Sequence, residues 1–358
     1  MRTVRPNLVS TLTLAFTLIL PLPWCGVLRA QCAPEPGGPP PKSNAPEQAP
    51  EIHDTQTLKV NVNLVNVYFS VRDKSGFLTG LKKDECTIYE DKDPQTLKQF
   101  TQEKNLPLTI GILLDTSGSQ QNVLPLEQDS GARFLKEVLT PKDEAFLISF
   151  DVNVDLLADF TNNAGELKRA LNKATINAGS SSAGIPGIGG GPVPISNPRG
   201  TLLFDAVALA SNEKLRRESG RKVLVLLTDG GDQGSTETVK SAVEAAQKAN
   251  AIIYVILIAD QGFGGYGNVT FGSPVGDMQK LAGDTGGRVI NVGNDGRKLE
   301  QAFDQIQDEL RTQYLASYTP KNTEADGKFR KLEYDCGKGR KVEARKGYYA
   351  IAGDADTQ

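Results

Sequence analysis

The sequence predicts a doubly wound α/β domain with a mostly parallel sheet, inserted in a small split β-sandwich-like domain. Three observations carry that expectation. Near-continuous apolar runs at 108–114, 145–150, 223–227 and 252–258 have the texture of strands buried on both faces of a parallel sheet. Stretches with apolar residues at helical spacing alternate with those runs, the pattern of a sheet with helices on both sides. Short strands with alternating polarity come before residue 107 and return after residue 311.

Taken in order, the chain begins with what reads as a secretory signal at 1–30. Arg2 and Arg5 make a positive start, 8–22 is mostly apolar, and Leu28-Arg29-Ala30 offers a small-residue cleavage site. The apolar stretch is broken by Pro21 and Pro23 and falls short of the ~20 residues that a spanning helix needs. A retained membrane anchor is the alternative. Lipidation at Cys32 is a weaker variant, because Gln31 is larger than the residue such processing wants. Cleavage would release the chain into an oxidising secreted, periplasmic or cell-envelope space. Residues 31–57, rich in Pro, Gly, Ser, Gln and Glu, read as an extended tether.

The first half of the small β domain spans 58–106. The run 58–69 largely alternates apolar and polar residues, Asp73-Lys74-Ser75-Gly76 signals a turn, and Cys86-Thr87-Ile88-Tyr89-Glu90 forms a short strand closed by Asp91-Lys92-Asp93-Pro94. The α/β domain spans 107–311. Its helical faces include Phe134, Leu135, Val138 and Leu139, then Val239, Val243 and Ala246, then Leu299, Phe303, Ile306 and Leu310. The second β half spans 312–350, with strands at 313–318, 329–334 and 341–349, and 351–358 is a tail. Each half alone has little core, so the two are expected to pair. Cys86 and Cys336 lie in opposite halves, inside predicted strands, where a disulfide would link them; two separate buried thiols are the alternative.

Composition narrows the chemistry. In 358 residues, 40 Lys+Arg stand against 43 Asp+Glu, without long basic runs, so phosphate-driven binding of nucleic acid is disfavoured. The single histidine, His53, lies in a polar stretch, which argues against triad hydrolysis and multi-histidine metal sites. The four cysteines include no C-x-x-C, which argues against zinc ribbons and thioredoxin chemistry.

The first buried run ends in Asp115-Thr116-Ser117-Gly118-Ser119. At the carboxyl end of a parallel strand, where open α/β sheets bind ligands, this D-x-S-x-S spacing aims a carboxylate and two hydroxyls from one turn. Hard divalent cations take oxygen ligands of this kind. Thr201, at the opening of a helix, and Asp229, in Thr228-Asp229-Gly230-Gly231 at the end of the 223–227 strand, would supply two more oxygens.

These residues resemble the metal-ion-dependent adhesion site of von Willebrand factor type A domains. The resemblance covers roughly 108–311, with Asp115, Ser117 and Ser119 matching the family's first loop, Thr201 its second and Asp229 its third. Asn63-Leu64-Val65 and Arg345-Lys346-Gly347-Tyr348-Tyr349 are similar to an exported bacterial subfamily. The resemblance implies a six-stranded sheet with one short antiparallel edge, which 153–158 would supply. It implies Mg²⁺, or else Mn²⁺ or Ca²⁺, with serines touching the ion directly and aspartates often acting through water. In the family, exchange of a metal-bound water for an acidic side chain of a partner can couple to movement of the last helix, here around 299–310. Gln120, Gln121 and Asn122 stand where integrin-type relatives place acids for an adjacent calcium, so no second metal is expected.

Two carboxylates at most neutralise a dication and leave an open electrophilic position for an Asp or Glu of a partner protein. The expected role is therefore a metal-dependent protein-interaction module and not an enzyme. Membrane contact enters only if the signal segment is retained. Two alternatives compete: an adaptor subunit for an AAA+ or chelatase-like assembly, and a nucleotide-cofactor oxidoreductase. Gly262-Phe263-Gly264-Gly265-Tyr266-Gly267 matches G-x-G-x-x-G, but it falls late in the domain, far from the first strand-to-helix turn such a fingerprint occupies. The Gly/Ser/Pro-rich loop 179–198 has no lysine in phosphate-loop position; it reads either as a loop on the metal face that shapes partner choice or as an unstructured insertion. Asn268-Val269-Thr270 is a glycosylation sequon only in a host that uses one.

Overall fold

The computed structural model describes residues 64–103, 106–177, 200–258 and 274–351. The signal segment, the tether with His53, residues 58–63, the loop 179–198, the glycine-rich run 262–267, the sequon at Asn268 and the tail beyond 351 lie outside the described residues. Among the described residues, no helix is long and apolar enough to cross a membrane.

In chain order the first block is β1 (Val65–Asp73), β2 (Gly76–Phe77), β3 (Thr87–Glu90), β4 (Asp93–Pro94) and β5 (Leu97–Gln102). Next come β6 (Leu108–Asp115), α1 (Leu124–Val138), β7 (Glu144–Phe150), β8 (Val154–Thr161), α2 (Ala164–Leu171) and α3 (Leu203–Leu209). After them run β9 (Arg221–Thr228), α4 (Val239–Lys248), β10 (Ala251–Leu257), α5 (Pro274–Thr285), β11 (Val289–Asn291) and α6 (Gly296–Thr312). The chain closes with β12 (Tyr314–Tyr318), β13 (Phe329–Asp335), β14 (Lys341–Ala344) and β15 (Gly347–Tyr349).

The central sheet has the order β11-β10-β9-β6-β7-β8. Its pairs are parallel except β7 with β8. Asp151, Val152 and Asn153 connect that last pair, enough chain for a hairpin and far too little for the crossover a parallel neighbour needs. Every residue of β6, β9 and β10 is buried, because helices cover both faces. Ile110, Ile112, Val223, Val225, Tyr254 and Ile256 pack with Phe134, Leu135, Leu167, Phe303 and Ile306 of α1, α2 and α6. Their neighbours Leu113, Leu224, Leu226, Ile253 and Val255 point the other way, onto α3, α4 and α5. Gly111 leaves the space that Phe146 fills; a Cβ there would clash with that ring and sit 2.6 Å from Leu224 Cδ2.

Strands from the two ends of the chain share sheets. β1 pairs with β12 and β14, and β12 with β5, giving the order β14-β1-β12-β5 with β2 alongside β1. A second sheet runs β15-β13-β3-β4. Val67, Phe69, Val71, Ile88, Tyr314, Tyr318 and Leu332 form a common core. Cys86 and Cys336 are joined by a disulfide with an S–S distance of 2.08 Å.

Three local expectations are corrected. The cysteines flank β3 and β13, one residue outside each strand, rather than lying within them. The single strand expected at 341–349 is two, β14 and β15, in different sheets, with the break at Arg345 and Lys346. The alternation expected along β1 fails after Asn66, because Tyr68 and Ser70 are buried too. Tyr68 joins the core below the central sheet, and Ser70 Oγ donates to Glu309 Oε1 of α6 at 2.8 Å.

Candidate metal centre

β6 delivers Asp115 to the carboxyl edge of the central sheet with its side chain fully buried. The chain turns immediately, because Ser117 N–H donates to Asp115 Oδ1 at 3.0 Å, the local hydrogen bond by which an aspartate folds its own backbone. A short 3₁₀ turn, Gly118–Gln120, follows. It sets Ser117 Oγ 3.0 Å from Ser119 Oγ, with both serines partly open to solvent.

The adjacent strand β9 ends in Thr228, whose hydroxyl donates to Asp115 Oδ2 at 2.7 Å and accepts from Gly230 N–H at 3.0 Å. Gly230 has φ +86°, a conformation glycine adopts without strain. Asp229 stands between them, half-buried, with Oδ1 accepting from Gly231 N–H at 2.9 Å. Thr201 is buried just before α3. Its carbonyl accepts from Gln233 N–H at 3.0 Å, which ties it to the loop after β9. The following amide, Leu202 N–H, donates to the carbonyl of Asp151 at 2.8 Å. The Asp151 carboxylate accepts from Thr116 Oγ1 at 2.7 Å and from Asn177 Nδ2 at 3.2 Å.

The five sequence-selected residues therefore sit on three loops that hydrogen bonds lace together at one edge of the sheet. Ser117 and Ser119 touch each other. Asp115 and Asp229 are close enough for the charge of one to act on the other. Thr201 is linked to them through Asp151 and Gln233. Burial, and after it the charge of Asp229, push the Asp115 carboxyl from its ordinary 3.8 up to about 7 against the pull of Ser117 and Thr228. Glu127 of α1 is also fully buried, and its carboxyl is raised by burial first and then by Asp115 and Asp229. Neither Glu127 oxygen has a hydrogen-bond partner.

Crowded buried carboxylates with orphaned acceptors suit a hard cation, whose charge would relieve their mutual repulsion. Two carboxylates and three hydroxyls, without His or Cys, match the donor preference of Mg²⁺, Mn²⁺ or Ca²⁺. Among the described residues, no three His, Cys, Asp or Glu side chains converge as a metal-binding group. Any cation held here would lean on hydroxyls and water as much as on carboxylates.

Sequence reasoning missed the residues that hold the loops together: Thr116, Asp151, Thr228 and Gln233. Asp151 carried a readable signal, an acid directly after an apolar strand, as at Asp115 and Asp229. Glu127 carried one as well, since it occupies the apolar face of α1 with Leu124, Phe134, Leu135 and Val138.

No protein-family model and no curated protein matches the sequence at a significant level. Solved structures similar in fold include BatB from Bacteroides thetaiotaomicron, at 19% identity and TM-score 0.41, covering 56% of this chain and 98% of that one. The SpRpn10 VWA domain is 16% identical at TM-score 0.38, covering 56% and 95%. Proximal thread matrix protein 1 of the mussel byssus, with a zinc-occupied MIDAS motif, is 17% identical at TM-score 0.43, covering 62% of this chain and 49% of its own. The six-stranded, mostly parallel sheet and its antiparallel edge at β8 agree with what the resemblance to a von Willebrand factor type A domain implies.

Proposed function

We propose that this chain is an exported protein-interaction module in which Asp115, Ser117, Ser119, Thr201 and Asp229 hold one divalent cation, Mg²⁺ or else Mn²⁺ or Ca²⁺. The observation that carries the reading is the hydrogen-bonded interlock of the three loops, centred on Thr228 Oγ1 to Asp115 Oδ2 and Thr116 Oγ1 to Asp151 Oδ2. It gathers hard oxygens at the end of a parallel sheet where ligands enter. Asp115 and Thr201 form the buried floor, while Ser117, Ser119 and Asp229 reach solvent. A bound cation supplies a Lewis-acidic position on that solvent side, and an Asp or Glu of a partner protein is the matching ligand. No nucleophile–base pair is needed for this role.

The α/β part, 107–311, is read as a domain inserted in a split β-sandwich-like base formed by 58–106 and 312–350. The pairing of β1 with β12 and of β3 with β13 supports that division. Export is read from residues 1–30.

The test is calorimetric titration of Mg²⁺ into the full chain and into its S117A and D229A variants. Saturable binding near one ion per chain, lost in both variants, is expected. Capture of partners from cell-envelope material should then require Mg²⁺ and fail in chelator. Absence of divalent binding by the unmodified chain overturns the reading, and equal capture with and without chelator removes its mechanism.

A further inference from the structure

Glu127 is out of place by every structural criterion. It lies on the core-facing side of α1, between Leu124 and the Phe134/Leu135 pair, at a position where an aliphatic side chain would pack without penalty. It has no exposed surface. Both carboxylate oxygens lack a hydrogen-bond partner, although a buried carboxylate without partners is costly. The charges acting on it, Asp115 and Asp229, are both negative. An ionised Glu127 meets repulsion, and a neutral one leaves a donor and acceptors unpaired. Only something positive or hydrogen-donating between Glu127 and the two aspartates would satisfy all three.

We propose that Glu127 is a further member of the cation site, serving the ion from the buried α1 side by accepting a hydrogen bond from a cation-bound water. This rests on the proposed metal-binding function and assigns it a residue outside the D-x-S-x-S, Thr201 and Asp229 set. Direct coordination is not required. Asp115, Asp229 and Glu127 do not converge as three ligands of one ion, which fits a contact made through water. An acceptor in that position holds the water, and through it the ion, in one orientation, while the negative charge adds to the attraction.

The experiment uses the full chain, E127Q and E127M, each titrated with Mg²⁺ by calorimetry and melted in chelator and in saturating Mg²⁺. Glutamine keeps the shape of glutamate, and methionine fills the site with an apolar chain if the amide disturbs packing. Both variants should melt in chelator at or above the temperature of the unmodified chain, because a buried, unsatisfied acid has been removed. Both should bind Mg²⁺ roughly 10–100-fold more weakly, the loss typical of partners that act through a first-sphere group. Mg²⁺ affinity within twofold of the unmodified chain in either folded variant overturns the assignment. So does a lower melting temperature in chelator with unchanged affinity, which would mark a packing role. If the unmodified chain itself binds no Mg²⁺, the failure belongs to the metal-binding reading and Glu127 falls with it.

Discussion

The folded chain by itself disfavours the ionised form of Asp115, and D115N exposes this directly. The acid carries no exposed surface, and burial with the neighbouring Asp229 moves its carboxyl from 3.8 to about 7. Because the folded value lies above the unfolded one, the unfolded chain gives up this proton first as pH rises. The group's contribution to stability is therefore fully present below pH ~4 and declines until the pH passes about 7. At pH 8 without metal the accumulated penalty is about 4 kcal/mol, at roughly 1.4 kcal/mol for each tenfold in acidity. Asparagine removes the charge but keeps an oxygen for Ser117 N–H, and its amide can donate to the Thr228 hydroxyl. Thermal melts in chelator from pH 5 to 8.5 should show the unmodified chain losing stability relative to D115N. By pH 8 the variant should melt roughly 10 °C higher, taking a few degrees per kcal/mol for a chain this size. In Mg²⁺ the order should reverse, since only the unmodified chain keeps the cation. D115N melting at or below the unmodified chain in chelator at pH 8, with parallel pH slopes, would refute the claim that Asp115 is held at an electrostatic disadvantage.

Two further outcomes follow from packing and covalent structure. G111A pushes a methyl into Phe146 and Leu224 at the centre of the sheet and should destabilise the chain by about 1–3 kcal/mol in urea unfolding; a loss below 0.5 kcal/mol would show that the Phe146 ring has room to move. The Cys86–Cys336 disulfide closes a loop of 250 residues, so the C86S/C336S double variant should lose up to about 5 kcal/mol. Non-reducing peptide mapping should recover the two cysteines in one linked pair, and two free thiols would contradict the bridge.

The parts of the fold that could be read in advance depend on periodicity. The runs that became β6, β7, β9 and β10 are near-continuously apolar because both of their faces are covered. The antiparallel edge was expected only through the family resemblance, at 153–158, and β8 runs Val154–Thr161. β1 was read less well. A strand with one face on a β core and the other on a helix carries serine and tyrosine inward, and an alternation rule sends such residues to solvent. The 341–349 stretch hid its break because Arg345 and Lys346 interrupt no apolar pattern; the change of sheet depends on Gly347, which packs where Phe329 and the Arg330 carbonyl leave no space for a side chain.

By itself the sequence determined the kind of chemistry on offer: oxygen donors at strand ends, no imidazole or thiolate cluster to rival them, and a parallel sheet to present them. Those are properties of residue type and spacing along one strand or one turn. Tertiary structure decided which distant residues share a site. Thr228 reaching Asp115, Asp151 bracing both Thr116 and the Thr201 loop, and Glu127 buried in the field of two aspartates are contacts between segments far apart in the chain. Strand order and helix docking create them, and no local pattern records which side chain will meet which.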